Sequence, residues 1–123
     1  MAKRIIKIGV MPKEEYKKRT IAIAKGEYIP KRNEPKIWFE SLQSMAQVLN
    51  NENQKLLQMI LEEHPSSIKE LEVLSGRSSS NLSRTLKTMA RYGIVALEKK
   101  DKRIVPVVKA SNFSVEFGLQ KHA

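Results

Sequence analysis

Basic and short polar side chains alternate with apolar ones between residues 77 and 93. Leu82, Leu86 and Met89 recur at the spacing of one helix face, which predicts a buried stripe. The polar and cationic residues of the stretch that we predict to contact DNA are Arg77, Ser79, Ser80, Asn81, Ser83, Arg84, Lys87 and Arg91. Such groups near a helix start suit insertion into a DNA major groove. We therefore predict a recognition helix over residues 78–92.

Position along this helix predicts different roles for its polar residues. Asn81 could read an adenine and Arg84 a guanine, each worth about 1–3 kcal/mol of discrimination if the contact is bidentate. Lys87 and Arg91 lie farther along and suit phosphate contacts, whereas Ser78 suits an N-cap. The alternative is that these cations only solvate the outer face of an amphipathic helix.

The segments before this helix must hold it in place. Apolar stripes predict helices over 41–49 and 52–63, and Ser67 with Glu70 fits a reciprocal capping box opening a short helix that Gly76 closes. The expected core positions are Leu42, Met45, Ala46, Leu49, Leu56, Leu57, Ile60, Leu61, Ile68, Leu71 and Leu74. The order of short helix, Gly-containing turn and longer basic helix is that of a helix-turn-helix.

After Gly93 the sequence changes to β-branched runs. Residues 94–97 and 104–108 predict two strands, and the charged residues 98–103 predict the loop between them. A hairpin directly after a recognition helix is a wing. Its cations are Lys99, Lys100, Lys102 and Arg103. They are predicted to contact the DNA backbone or the minor groove; alternatively, they protect strand edges against aggregation.

Residues 4–10 predict an N-terminal strand with Ile6, Ile8 and Val10 on one face. A helix is expected from Pro12 to about Lys25, with an apolar stripe of Tyr16, Thr20, Ile23 and Ala24 and with Gly26 as its C-cap.

The alternating residues 113–117 predict one more strand. We expect this strand to pair with strand 4–10, or across a two-fold axis. The chain is accordingly divided into three parts. An N-terminal strand-helix extension with a linker over 1–36 would serve dimerisation or partner binding, a winged helix-turn-helix over 37–112 would bind DNA, and a C-terminal strand and tail cover 113–123.

Charge is distributed unevenly along the 123 residues, whose net charge is +10. Residues 1–40 carry 11 basic and 5 acidic groups, residues 41–66 carry 1 and 3, and residues 67–123 carry 11 and 5. The surplus therefore lies in two blocks that can face a polyphosphate such as DNA. A generally basic, soluble surface is the simpler alternative.

Several classes of site find no support in the composition. The chain has no cysteine, and His64 and His122 lack partners at ligand spacing, so we expect neither a metal nor a cofactor. No paired carboxylates, activated nucleophile or Gly-rich phosphate loop predicts an enzyme. No segment has the length and apolarity of a membrane span or signal peptide, so we expect a cytoplasmic protein, nucleoid-associated when bound to DNA.

Four segments, residues 56–61, 67–71, 79–86 and 92–95, carry a resemblance to a known family. Over about 41–108 the chain resembles the winged helix-turn-helix domain of MarR/ArsR-type transcriptional regulators. Residues 39–42 and the turn 74–78 are also similar to a smaller group of short prokaryotic DNA-binding regulators, some of them antitoxin-like. MarR-type proteins dimerise through long terminal helices, but nothing after residue 112 has a helical pattern.

The resemblance implies an α+β, mostly helical fold and a sequence-specific regulator of transcription that binds double-stranded DNA. A homodimer is expected, because a single recognition helix reads too few bases. Repression is the expected sign of regulation. The alternative is an antitoxin that holds a small toxin protein through its N-terminal region and represses its own operon. The basic strand-helix unit before residue 37 motivates this alternative, because the winged domain does not need it.

Overall fold

Two small sheets and a set of helices share one hydrophobic core in the computed structural model, which describes residues 4–119. The elements are β1 (Ile5–Val10), α1 (Lys13–Ala24), β2 (Ile37–Phe39), α2 (Leu42–Val48), α3 (Asn51–Glu63), α4 (Ile68–Ser75), α5 (Ser79–Tyr92), β3 (Val95–Lys100), β4 (Arg103–Val108) and β5 (Asn112–Glu116). This confirms the predicted α+β class, with helix the more abundant element.

The first sheet is parallel and brings together the two ends of the described chain. Its strand order is β2-β1-β5, so the predicted pairing of the N-terminal strand with the last strand is confirmed. Ile8 is buried on the core face of β1. On the other face Gly9 lies beneath Trp38, and a Cβ at Gly9 would come within 2.4 Å of the indole ring. Gly9 is therefore required by the close approach of Trp38 to β1.

Short polar side chains cap the starts of α2, α3 and α4, and the capping box predicted for α4 needs one correction. The hydroxyl of Ser41 caps α2 and the side chain of Asn50 caps α3. Ser67 accepts a hydrogen bond from the Glu70 amide at 3.0 Å, but the Glu70 carboxylate bonds Ser66 instead of the Ser67 amide. The predicted reciprocal box is therefore wrong in one half, because the Ser66 hydroxyl at 2.6 Å offers the carboxylate a stronger donor.

The core is built from α3, α4 and α5 together with one face of the parallel sheet. Leu56, Leu57, Ile60 and Leu71 are buried as predicted, and Leu61 and Ile68 are partly buried against them. The predictions for Leu42, Ala46 and Leu74 are wrong, since these side chains are exposed. Val48 packs against the core in the second helix instead. These short helices touch the core along a narrower strip than their apolar residues suggest.

The N-terminal helix α1 is present, but its predicted apolar stripe is wrong. Tyr16, Thr20 and Ala24 are exposed, and none of the described residues of α1 is fully buried. Its sheltered side includes Arg19, whose guanidinium lies 5.1 Å from the Trp38 ring and 3.4 Å from the Glu34 carboxylate. A cation packed on an aromatic ring replaces the expected aliphatic contact.

The second sheet is an antiparallel hairpin of β3 and β4. Lys100 pairs with Arg103, so the connection is the two-residue turn Asp101–Lys102 rather than the predicted loop over residues 98–103. Both turn residues have positive φ, 48° and 67°, as in a type I′ turn. Because this turn matches the twist of paired strands, pairing continues into the charged segment.

Candidate nucleic-acid interface

Helix α5 is fixed at both ends and along one face. The Ser78 hydroxyl accepts a hydrogen bond from the Asn81 amide at 3.2 Å, which confirms Ser78 as the N-cap. Gly93 ends the helix with a φ of 87°. The stripe of Leu82, Leu86 and Met89 is fully buried, as predicted. The polar face of α5 is therefore presented on a rigid, well-packed element.

The outer face of α5 carries four of the predicted site residues. Ser80, Arg84, Lys87 and Arg91 are all exposed, and α5 contains no acidic residue. Within residues 4–119, none of the three cations in this set takes part in a salt bridge. Arg84, Lys87 and Arg91 therefore present uncompensated positive charge to solvent.

Asn81 and Arg77 lie toward the flank of α5 that meets the start of α3. Arg77 donates to the backbone carbonyl of Glu52 at 2.9 Å and to Oδ1 of Asn81 at 3.4 Å. The guanidinium therefore ties the N-terminal ends of α3 and α5 together. Because Oδ1 has two lone pairs, Asn81 can still accept a second hydrogen bond while Arg77 holds its side chain.

The other two serines predicted for the site differ in exposure. Ser79 is exposed in the first turn, whereas Ser83 is half-buried beside the apolar stripe. Ser83 is accordingly the least accessible residue of the predicted set on α5.

A shallow, open depression adjoins the N-terminal end of α5. Its lining consists of Asn50, Glu52, Asn53, Arg77, Ser78, Asn81 and Thr85. The sequence does not predict the contribution of α3 to this surface. The Arg77–Glu52 contact joins residues 25 positions apart and uses a backbone carbonyl, so no pattern of side chains in the sequence predicts it.

The cations of the hairpin lie at its tip, and all four are exposed. Lys100 is 3.7 Å from Glu98, which partly offsets its charge. Lys100 and Arg103 also border a groove of about 480 Å³ between the hairpin and the end of α3, with Ile60, His64 and Pro65 on its other side. Lys99 and Lys102 complete the tip. The structure thus places the predicted site residues in two groups, one on α5 and one at the hairpin tip.

Glu70 of α4 interacts electrostatically with Arg103 of the hairpin. Hydrogen bonds from the hydroxyl and amide of Ser66 lower the pKa of the Glu70 carboxyl, and the positive charge of Arg103 lowers it further. Arg103 is therefore partly balanced by a carboxylate that stays ionised, unlike the cations of α5.

No group of three or more histidine, aspartate or glutamate side chains within residues 4–119 is placed to hold a metal ion. In the same part of the chain, every helix is too short or too polar to cross a membrane.

The sequence profile of the HVO_A0114 family matches residues 48–115. The chain belongs to the HVO_A0114 family. The family match runs from the end of α2 to β5, and so includes α5, the hairpin and the last strand of the parallel sheet. It begins after α1 and β2.

No curated protein matches the sequence significantly. Among solved structures, this member of the HVO_A0114 family is similar to one described as the "predicted DNA-binding transcriptional regulator from E. coli". The TM-score is 0.46 at 19% sequence identity, with 76% of this chain and 84% of that chain covered. The description applies to the E. coli protein.

Proposed function

We propose that the chain is a sequence-specific, double-stranded DNA-binding regulator of transcription with a winged helix-turn-helix. Helix α5 enters the major groove, and the β3–β4 hairpin is the wing on the flanking backbone or minor groove. The observation that carries the proposal is the outer face of α5, where Arg84, Lys87 and Arg91 are exposed and form no salt bridge with residues 4–119, on a helix whose apolar stripe is fully buried. A rigid cationic helix followed by a basic hairpin suits a groove and its phosphates.

The contacts follow from position on these elements. Asn81 and Arg84, with Ser79, Ser80 and Ser83 near the helix start, face base edges. Lys87 and Arg91 contact phosphates, as do the wing cations Lys99, Lys100, Lys102 and Arg103. Arg77 positions Asn81 through the hydrogen bond at 3.4 Å and also reaches the DNA backbone. In this arrangement α5 determines which DNA sequence is preferred, and all the phosphate contacts together determine how strongly the affinity depends on salt.

Selection of duplexes from a random-sequence DNA pool tests the proposal directly. The wild-type chain should enrich one motif, and Arg84→Ala should lose about 5- to 150-fold in affinity for it, as expected for about 1–3 kcal/mol per bidentate base contact. Arg32→Ala changes another exposed arginine, outside the proposed surface, and as the control should leave affinity unchanged. Equal affinity of the wild type for the enriched and the random duplex would show non-specific binding and contradict the proposal.

The finer assignment is a repressor that works as a homodimer. One recognition helix reads few base pairs, and two such helices about 34 Å apart would read successive major grooves of one face of DNA. A promoter reporter carrying the enriched motif should fall in activity when the wild-type chain is expressed, and should not respond to Arg84→Ala. A rise in activity would indicate an activator.

The second candidate function is that of an antitoxin whose N-terminal region binds a small toxin protein. The supporting observation is a group of exposed apolar side chains there, Tyr16, Ile21 and Ile29, with Ile29 81% exposed. Deleting residues 1–36 is no test, because β1 is the central strand of a sheet that shares the core. Co-purification with the product of the adjacent gene should instead be lost in Ile21→Glu/Ile29→Glu and kept in Val73→Glu. Equal recovery with both variants would exclude binding through this surface.

A further inference from the structure

The outer edge of β5 is the one strand edge of the described fold that is longer than three residues and has neither a basic residue nor a proline. β5 lies at one end of the order β2-β1-β5, so its outer edge is unpaired within residues 4–119. At the opposite end, β2 has only three residues. The hairpin edges carry lysines, Arg103 and Pro106. Charge, proline and short length are the usual means by which proteins prevent strand edges from pairing.

Residues 110–119 contain neither lysine nor arginine, although the chain has 23 of these residues. The only charged residue in this segment is Glu116. A second molecule carrying the same net charge of +10 meets less repulsion here than at the basic surfaces. An edge with neither a basic residue nor a proline is suited to strand pairing, and the charge distribution favours another copy of this chain.

The direction of the β5 peptide groups follows from its pairing with β1. The Asn112 amide donates to the Arg4 carbonyl at 3.1 Å, and the two strands are in parallel register with Asn112 beside Ile5. Because peptide groups alternate in direction along a strand, those of Asn112, Ser114 and Glu116 face β1. Those of Phe113 and Val115 face outward and are available to a partner, and the same alternation continued past the strand end would turn that of Phe117 outward as well.

The side chains of the same three residues form an apolar row that begins at the core and becomes exposed toward the C-terminal end. Phe113, next to Ile6, is partly buried and packs against the core cluster. Val115 is 45% exposed and Phe117 is 55% exposed. Alternation along the strand places Phe113 and Val115 on the core face of the sheet, and its continuation past the strand end would place Phe117 on the same face. The free backbone groups and the uncovered apolar side chains therefore belong to the same residues.

We propose that β5 pairs with β5 of a second copy of this chain, antiparallel about a two-fold axis beside Val115. The outward-facing residues then stand opposite one another. Val115 faces the partner's Val115, and Phe113 faces the partner's Phe117. Each such pair exchanges two backbone hydrogen bonds, on the order of six in all, and cross-strand aromatic and β-branched pairs add to sheet stability. The two three-stranded sheets become one continuous sheet.

This register is favoured over its neighbours by the sequence of β5. Centring the axis on Glu116 would oppose two carboxylates, which is destabilising. Centring it on Ser114 would separate the phenylalanines and leave Phe117 without an apolar neighbour. Only the axis at Val115 pairs the aromatic residues and sets Glu116 opposite a serine. The inference concerns assembly alone and does not depend on DNA binding, so the two can fail separately.

Sedimentation velocity of the full chain without DNA, over a concentration series, tests the pairing. The wild type should show a species of twice the 14.1 kDa chain mass. Val115→Lys places two like charges opposite each other and should weaken association by about tenfold or more. Val73→Lys, at another exposed valine, should associate like the wild type. A wild-type monomer at every concentration, or unchanged association of Val115→Lys, would overturn the proposal.

A second variant tests the register of the β5–β5 pairing without placing a charged residue in the sheet. The chain has no cysteine, so Val115→Cys introduces the only thiol. Residues directly opposite in a hydrogen-bonded antiparallel pair have Cα atoms about 5.5 Å apart, within the range that a disulfide spans. Mild oxidation should therefore yield a covalent dimer from Val115→Cys but not from Val73→Cys. Equal cross-linking of both variants would contradict a two-fold axis at Val115.

Discussion

The two basic helices of the chain, α1 and α5, look alike in composition and differ in how they are held. α1 has four cations and α5 has three, but α1 also contains Glu14 and Glu15 whereas α5 has no acidic residue. α5 buries a complete apolar stripe, while α1 has no fully buried residue. α1 is held through Arg19, which contacts Trp38 and Glu34. Positive charge therefore forms a defined surface only where packing fixes the helix and no carboxylate offsets the charge.

The packing difference should have the largest measurable effect. Leu86→Ala removes a fully buried side chain of α5 and should lower the free energy of unfolding by about 2–5 kcal/mol. Ile23→Ala in α1 removes a half-buried side chain and should cost about 1 kcal/mol. Urea unfolding followed by circular dichroism measures both. Similar losses in the two variants would show that α1 is packed as firmly as α5.

The charge difference should appear in the salt dependence of DNA binding. Removing two phosphate contacts with Lys87→Ala/Arg91→Ala should reduce the slope of log affinity against log salt concentration by about 1.8, at about 0.9 per neutralised phosphate. The matched pair Lys17→Ala/Lys18→Ala in α1 should leave the slope nearly unchanged. Fluorescence anisotropy with a labelled duplex at several salt concentrations measures both. An equal reduction in the α1 pair would make both helices part of the DNA surface.

The two helices also mark what the sequence can and cannot predict. The α5 stripe depends on local periodicity, and Ser78, Gly93 and the buried leucines all lie where 3.6-residue spacing and cap chemistry put them. The same rule predicts a stripe on α1, and that prediction is wrong. The sheltered side of α1 is chosen by Trp38, Tyr28 and Glu34, which come from a strand and a connector farther along the chain.

The same distinction holds within the candidate site. The outer face of α5 follows from helical geometry, so the sequence alone is enough to group Ser80, Arg84, Lys87 and Arg91 on one face. The contact of Arg77 with the Glu52 carbonyl does not follow in this way, because it joins two helix ends across 25 residues through a backbone group. The hairpin turn also differs from expectation, since its two residues adopt positive φ values that composition alone does not require.

The helix starts give a smaller contrast. Ser78 caps α5 with its hydroxyl, whereas Pro12 precedes α1 and makes no side-chain cap. Ser78→Ala should therefore lower the free energy of unfolding by about 1 kcal/mol, because the Asn81 amide loses its partner. Pro12→Ala should change it much less. Thermal unfolding monitored by circular dichroism compares the two variants. An equal shift of the melting temperature would mean that the Ser78 hydroxyl bond contributes little.

The smallest predicted effect concerns the polar contact that holds α1. A hydrogen bond from the Tyr28 hydroxyl lowers the pKa of the Glu34 carboxyl, and a Lys31 amide and Arg19 lower it further. Because the folded pKa lies below the ordinary value of about 4.3, the ionised carboxylate stabilises the fold fully above that pH. This stabilisation is lost as the pH falls through the lowered pKa. The same hydrogen bond raises the pKa of Tyr28, because ionisation would remove the proton that the hydroxyl donates to Glu34.

Trp38 is the only tryptophan and lies against Arg19, so its fluorescence reports on this contact. Acid titration of the wild type should change the emission below about pH 4.3, when Glu34 gains its proton and Arg19 loses its ion pair. Glu34→Gln should show no such step and should already have the low-pH emission at neutral pH. Glu40→Gln, a carboxyl near Trp38 in sequence but without the Arg19 contact, is the control and should titrate like the wild type. An acid step that persists in Glu34→Gln would mean that the fluorescence change comes from the hydrophobic core and not from Glu34. In that case α1 would be held by more than its Arg19 contacts.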